Sequence, residues 1–199
     1  MIKSLPSGYS IEFGGEYEQM METFIALGIA FIFAIILVYM IMAALFESFM
    51  HPFVIIFTVP LAIIGVLWGL FLAHKTISMP ALMGVIILLG IVVNNAIVLI
   101  NYTNQLRAKN MNIYEALVEA GKRRLRPILI TAFTTILGML PMVFGRSEGA
   151  EMRSPMAVVV ISGLFVSTVL TLIVIPIIYV MFDNLAHRVG STTKRVIHE

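Results

Sequence analysis

The sequence has no cysteine. Disulfides, thiolate metal sites and a cysteine nucleophile are therefore excluded, and cysteine usage says nothing about redox compartment. Charge is equally scarce. Only 12% of the 199 residues are Asp, Glu, Lys or Arg, against 60% hydrophobic residues and a mean hydropathy of +1.01. Soluble domains carry about twice that share of charge, so this chain has too little polar surface to cover a water-soluble globule. An ordinary soluble enzyme, a disordered chain and a nucleic-acid-binding module are excluded, and the formal charge of +2 is too small to imply a polyanionic partner.

What is present is a set of long charge-free runs at 23–46, 52–73, 76–106, 127–145 and 154–182. A hydrocarbon core about 30 Å thick needs about 20 apolar helical residues, so each run supplies one span. The expected fold is an all-α integral membrane protein, a bundle of five transmembrane helices at about 23–46, 52–73, 79–104, 127–145 and 155–182. Pro52, Pro80, Pro127 and Pro155 are placed at helix starts, where a missing N–H costs nothing. Pro60 and Pro176 fall inside spans and are expected to bend them.

Orientation follows from the basic residues. The loop between the third and fourth spans, with the segment after the fifth, gathers nine Lys and Arg, and the opposite side carries four. The positive-inside rule then puts the N-terminus outside and the C-terminus, residues 183–199, in the cytoplasm. The first apolar run follows an acidic, Gly-containing segment, so no cleavable signal peptide is expected. Residues 1–22 read as the tail of an extracytoplasmic domain. They hold one strand candidate at 9–13 and a hinge at Gly14-Gly15. In the cytoplasmic loop, Asn112 and Glu115 suggest a capping box for a surface helix over about 112–121. Gly121 would end that helix, and the basic cluster Lys122, Arg123, Arg124 and Arg126 would lie near anionic headgroups.

With the spans free of charge, functional groups inside the membrane are neutral. Asn94 and Asn95 lie in the third span and Thr131 in the fourth. An amide in hydrocarbon needs a partner, which leaves two roles open: a bond between helices or a place in a polar relay. Gly65 and Gly69 form a GxxxG pair, and Ala26, Ala30 and Ala34 form a second small-residue row suited to close helix packing. The 14 Met residues have no repeated spacing and read as packing residues rather than soft-metal ligands. No spacing fits a hydrolase triad, a HExxH zinc site, a phosphate-binding loop or a carboxylate pair. Neither catalytic residues, a metal nor a cofactor is expected, and transport or assembly remains.

The segment 90–100, Gly-Ile-Val-Val-Asn-Asn-Ala-Ile-Val-Leu-Ile, and the segment 124–131, Arg-Leu-Arg-Pro-Ile-Leu-Ile-Thr, resemble the resistance–nodulation–division (RND) efflux permeases of the AcrB type. Residues 44–48 with Pro52, residues 59–65 and the 145–155 loop fall in matching order. The resemblance covers essentially the whole sequence. It implies the C-terminal portion of such a permease, the end of a porter domain followed by helices eight to twelve, in a bacterial inner membrane. The partners it implies are the bilayer, the N-terminal transmembrane half and porter domains, a trimeric assembly and a periplasmic adaptor.

The resemblance also implies a proton-driven exporter of hydrophobic or amphiphilic compounds, inactive as this piece alone. The family couples protons through acidic residues of helix four, a Lys of helix ten and a Thr of helix eleven. Thr131 matches the Thr, and Asn94 stands where the family has Lys. Asn94 forms hydrogen bonds but does not titrate, so the relay implied here is a reduced one in which Asn94, Asn95 and Thr131 orient an acidic pair on other helices. Two alternatives are a stand-alone five-span structural or regulatory protein and a metal-exporting RND subclass.

Overall fold

A computed structural model describes residues 15–48, 50–145 and 149–196. The strand candidate at 9–13, Gly14 and the Arg146–Glu148 stretch lie outside the described residues. Six helices follow in order: α1 (Glu16–Phe46), α2 (Met50–Ile56), α3 (Thr58–Leu72), α4 (Met79–Arg107), α5 (Ile113–Phe144) and α6 (Ala150–Val196). They supply five apolar helical stretches long enough to cross a membrane, with α2 and α3 together forming the second. No strand occurs among the described residues.

α6 is the centre of the bundle and packs against α3, α4 and α5. Glycines set the distances. A Cβ on Gly65 would stand 2.7 Å from the Val166 Cβ and 2.9 Å from the Ser162 carbonyl oxygen, and one on Gly69 would overlap the Ser162 side chain. The GxxxG pair thus lies in the antiparallel α3–α6 crossing. Gly84 does the same for the parallel α4–α6 pair, where a Cβ would lie 2.9 Å from the Met156 carbonyl oxygen. Close backbone approach of this kind replaces the hydrophobic drive that lipid does not provide. α1 is peripheral. Among the described residues its backbone comes close to α2 and α4 alone, and its most apolar stretch holds no buried side chain. Ala26 and Ala30 are exposed and Ala34 half-buried, so this second small-residue row does not pack like the first.

Several boundaries differ from the sequence reading. The surface helix at 112–121 and the fourth span are one helix, α5, and Gly121 ends nothing. The reason is a buried stripe of Ala116, Leu117, Ala120, Ile128 and Ala132, which keeps helical phase straight through the glycine. A helical glycine costs only about 1 kcal/mol relative to alanine, less than this burial returns. Pro127 is accordingly interior, not at a helix start. The Asn112 side chain makes no cap bond, and its carbonyl simply accepts the Ala116 N–H at 2.8 Å, so the capping box does not form.

The second span is broken at Phe57. Pro60 lacks the N–H that would bond the Ile56 carbonyl, and the chain separates there into α2 and α3. The buried Thr58 hydroxyl donates to the Ile55 carbonyl at 2.7 Å, supplying a donor at the break. α1 starts at Glu16, so the acidic run before the first span is continuous with it, preceded by the exposed Gly15. α6 starts at Ala150, which leaves Pro155 inside it, and its backbone stays helical to Val196 through most of the expected tail.

Candidate functional site: the uncovered polar face of α4

At 100° per residue, Gly90, Asn94, Asn101 and Gln105 fall within about 60° of arc on α4. Gly90, Asn94 and Gln105 are exposed and Asn101 is half-buried. Gln105 Nε2 donates to Asn101 Oδ1 at 3.4 Å, a long bond along the same helix. Neighbouring Asn95 points elsewhere and is 9% exposed. Neither Asn94 nor Asn95 makes a hydrogen bond among the described residues. The adjacent asparagines therefore have different environments, one on an open face and one inside the bundle.

α5 flanks this open face. The Arg124 guanidinium sits 4.7 Å from the ring centre of Tyr102, the residue after Asn101. This contact joins α5 to α4. Arg124 is half-buried, and its Nε has no hydrogen-bond acceptor among the described residues. Thr131 lies two turns further along α5 on the same side as Arg124 and is exposed. Its hydroxyl donates to the Pro127 carbonyl at 3.0 Å, while Thr134 and Thr135 bond the Ile130 and Thr131 carbonyls at 2.8 and 2.9 Å. The three threonines are satisfied within their own helix, so no hydrogen bond joins Thr131 to Asn94 or Asn95. Asn94 and Thr131 are both exposed, without a contact between them.

Of the basic cluster, Arg123 is paired with Glu119 at 2.7 Å, while Lys122 and Arg126 are exposed. Among the described residues, no group of three His, Cys, Asp or Glu side chains is placed to hold a metal ion. An apolar cavity of about 270 Å³ opens between α1, α3 and α4, lined by Phe24, Leu27, Phe31, Val66, Leu70 and Val85 among others.

A second polar node went unrecognised in the sequence. Tyr179 of α6 bonds both Asn104 and Arg107 of α4, and its ring lies 5.8 Å from that of His51, which in turn lies 5.7 Å from Phe46. The node joins α1, α2, α4 and α6 at one end of the bundle. Arg107 reads in sequence as a residue that sets topology, and no pattern couples it to a tyrosine 72 positions away.

Comparison with known proteins gives this geometry a family. The chain matches the AcrB/AcrD/AcrF family over residues 1–183. It is 42% identical over 175 residues to the swarming motility protein SwrC of Bacillus subtilis (strain 168), covering 87% of this chain and 17% of that protein. It is 35% identical over 196 residues to the multidrug resistance protein MdtC of Escherichia coli O157:H7 (strain EC4115 / EHEC), covering 98% of this chain and 19% of that protein. The crystal structure of a heavy metal efflux pump superposes with a TM-score of 0.77 at 29% identity, over 85% of this chain and 17% of the pump. The chain thus spans less than one fifth of these relatives' length. With five helical stretches long and apolar enough to cross a membrane among its described residues, and a family match over residues 1–183, the chain belongs to the AcrB/AcrD/AcrF family of RND efflux permeases.

Proposed function

We propose that this chain forms the C-terminal membrane portion of a proton-motive-force-driven exporter of hydrophobic or amphiphilic compounds. In this reading its open α4 face packs against the N-terminal transmembrane half of the same permease. The observation that carries the proposal is the row Gly90, Asn94, Asn101 and Gln105, left largely uncovered on α4, with Thr131 exposed on the neighbouring α5. A bare amide in hydrocarbon costs several kcal/mol in the absence of a partner, and uncharged polar groups on a spanning helix face a neighbouring helix or a polar path. Acidic side chains on the covering helices would titrate, with Asn94 and Thr131 orienting them and the half-buried Arg124 holding a positive charge two turns away.

In this reading the end of α4 and the start of α5 are cytoplasmic and the N-terminal side of α1 is outside, the orientation favoured by the distribution of basic residues. Trimeric assembly and a periplasmic adaptor belong to the whole permease in this reading. The apolar cavity between α1, α3 and α4 suits an apolar solute or lipid chain. The chain alone, lacking the covering helices, does not transport. A metal-exporting alternative has one supporting observation, the likeness to the heavy metal efflux pump at 29% identity. The likeness to MdtC, a multidrug resistance protein, at 35% identity supports the first reading.

The test is transport by the complete permease in proteoliposomes under an imposed pH gradient. Asn94→Leu and Thr131→Val are each expected to abolish gradient-driven export while leaving the protein folded and able to bind substrate. Export at the unsubstituted rate in both variants would overturn the relay. Gradient-driven export of a metal ion, with none of a hydrophobic dye, would select the alternative.

A further inference from the structure

The continuity of α5 has a consequence at its exposed surface. Lys122, Arg126, Ile130, Phe133 and Leu137 fall within about 80° of arc on this helix. All five are exposed, with Ile130, Phe133 and Leu137 at 55%, 56% and 62%. One face therefore begins with two cations and continues as an apolar ridge. From Arg126 to Leu137 the helix rises about 16 Å at 1.5 Å per residue, close to the roughly 15 Å of hydrocarbon in one leaflet.

Neither cation is held in an ion pair among the described residues. Glu119, the nearest carboxylate on this side, is engaged by Arg123 at 2.7 Å, and Glu115 lies a further turn away from the membrane. Lys122 and Arg126 form neither an ion pair nor a hydrogen bond among the described residues. Like charges four residues apart on a helix repel, and an anion between them reverses the sign of that interaction.

We infer that this face of α5 is a binding site for an anionic phospholipid. Lys122 and Arg126 hold the headgroup phosphate, and an acyl chain lies along Ile130, Phe133 and Leu137. The order of the pattern selects the ligand. A soluble phosphate would satisfy the cations and leave the ridge unused, and a zwitterionic lipid would use the ridge while bringing its own cation against Lys122. The site is independent of the transport reading, because it uses neither the α4 face nor Thr131.

The test is native mass spectrometry of the purified chain in detergent, titrated with dioleoyl phosphatidylglycerol or dioleoyl phosphatidylcholine. Two basic residues, each contributing about fivefold at an anionic surface, give an expected preference for phosphatidylglycerol of about 25-fold. Lys122→Gln with Arg126→Gln removes that preference, Lys122→Arg with Arg126→Lys keeps it, and Lys109→Gln, on the α4–α5 turn, leaves it intact. Phe133→Ala with Leu137→Ala weakens binding of both lipids. All of these side chains are exposed, so matching circular dichroism of the variants confirms the fold. Equal retention of the two lipids by the unsubstituted chain would overturn the site. So would a preference that survives loss of both cations, or phosphatidylglycerol binding indifferent to loss of the ridge.

Discussion

The Tyr179 hydroxyl donates to Asn104 Oδ1 at 2.6 Å, and the hydroxyl oxygen itself accepts from Arg107 Nη1 at 3.1 Å. One phenol on α6 thus ties two side chains of α4, a turn apart, at the end of the bundle where α4 stops. Tyr179 is 3% exposed, so water cannot readily replace either bond.

Tyr179→Phe keeps the ring against His51 and deletes both bonds. Asn104 and Arg107 are half-buried and recover some solvation, so the expected loss of stability is about 1–2 kcal/mol. The check is a double-mutant cycle with Asn104→Ala, read by reversible unfolding in mixed micelles. Interhelical bonds in membrane proteins average about 0.6 kcal/mol, and the cycle is expected to show a coupling at or above that value. Additive losses would mean that the two helices hold together here by packing alone.

The α3–α6 crossing makes a prediction with a built-in rescue. A methyl at Gly69 overlaps the Ser162 side chain, and one at Gly65 meets the Val166 Cβ and the Ser162 carbonyl. Gly69→Ala is expected to destabilise the bundle by about 1–3 kcal/mol through forced separation of the helices. Ser162→Gly removes the obstructing side chain, so the Gly69→Ala, Ser162→Gly pair is expected to regain most of the loss. No such rescue is expected for Gly65→Ala, whose obstruction includes backbone. Thermal unfolding of the variants beside the unsubstituted chain in one detergent checks the pattern.

Gly121 separates two descriptions of α5 by the sign of one substitution. At the end of a helix in the left-handed conformation, a glycine resists replacement. Inside a helix, where an added methyl would meet no neighbouring atom within 4 Å, it does not. Gly121→Ala is therefore expected to stabilise the chain by about 0.5–1 kcal/mol. A loss of stability, measured by the same thermal unfolding, would restore a surface helix ending at residue 121.

That substitution also marks where sequence reading stops. The five spans were legible because charge-free runs of sufficient length have few other uses, and the Gly65–Gly69 pair because small residues at that spacing admit a neighbouring backbone. Phase was not legible. Helical spacing groups Asn94 with Asn101 and Gln105 and separates Asn95 from them, but nothing in the pattern says which of the two faces is open. Ala26 and Ala30 share the spacing of the glycine pair yet lie on a helix that is peripheral in this chain. Breaks were half legible: the interruption expected at Pro60 occurs between α2 and α3, and the helix end expected at Gly121 does not. Gly121 and Pro60 carry similar local warnings, but the buried stripe of α5 overrides the first, whereas a missing N–H at the second has no such remedy. The Tyr179 node required knowing that α4 and α6 run parallel at a particular register.

The open face of α4 predicts opposite outcomes in two settings. In the chain alone Asn94 faces lipid or detergent, where an unpartnered amide is unfavourable. Asn94→Leu is then expected to stabilise the isolated chain by about 1 kcal/mol or more and to reduce self-association through this face, measured by unfolding in micelles and by analytical ultracentrifugation. In the complete permease, where the proposed covering helices bring their own polar groups, the same substitution leaves those groups unpaired and abolishes coupled export. A substitution that improves the piece and disables the whole is the signature of a surface built to be covered. If Asn94→Leu destabilises the isolated chain as well, Asn94 has a partner within these five spans, and the open face is not where the second half docks.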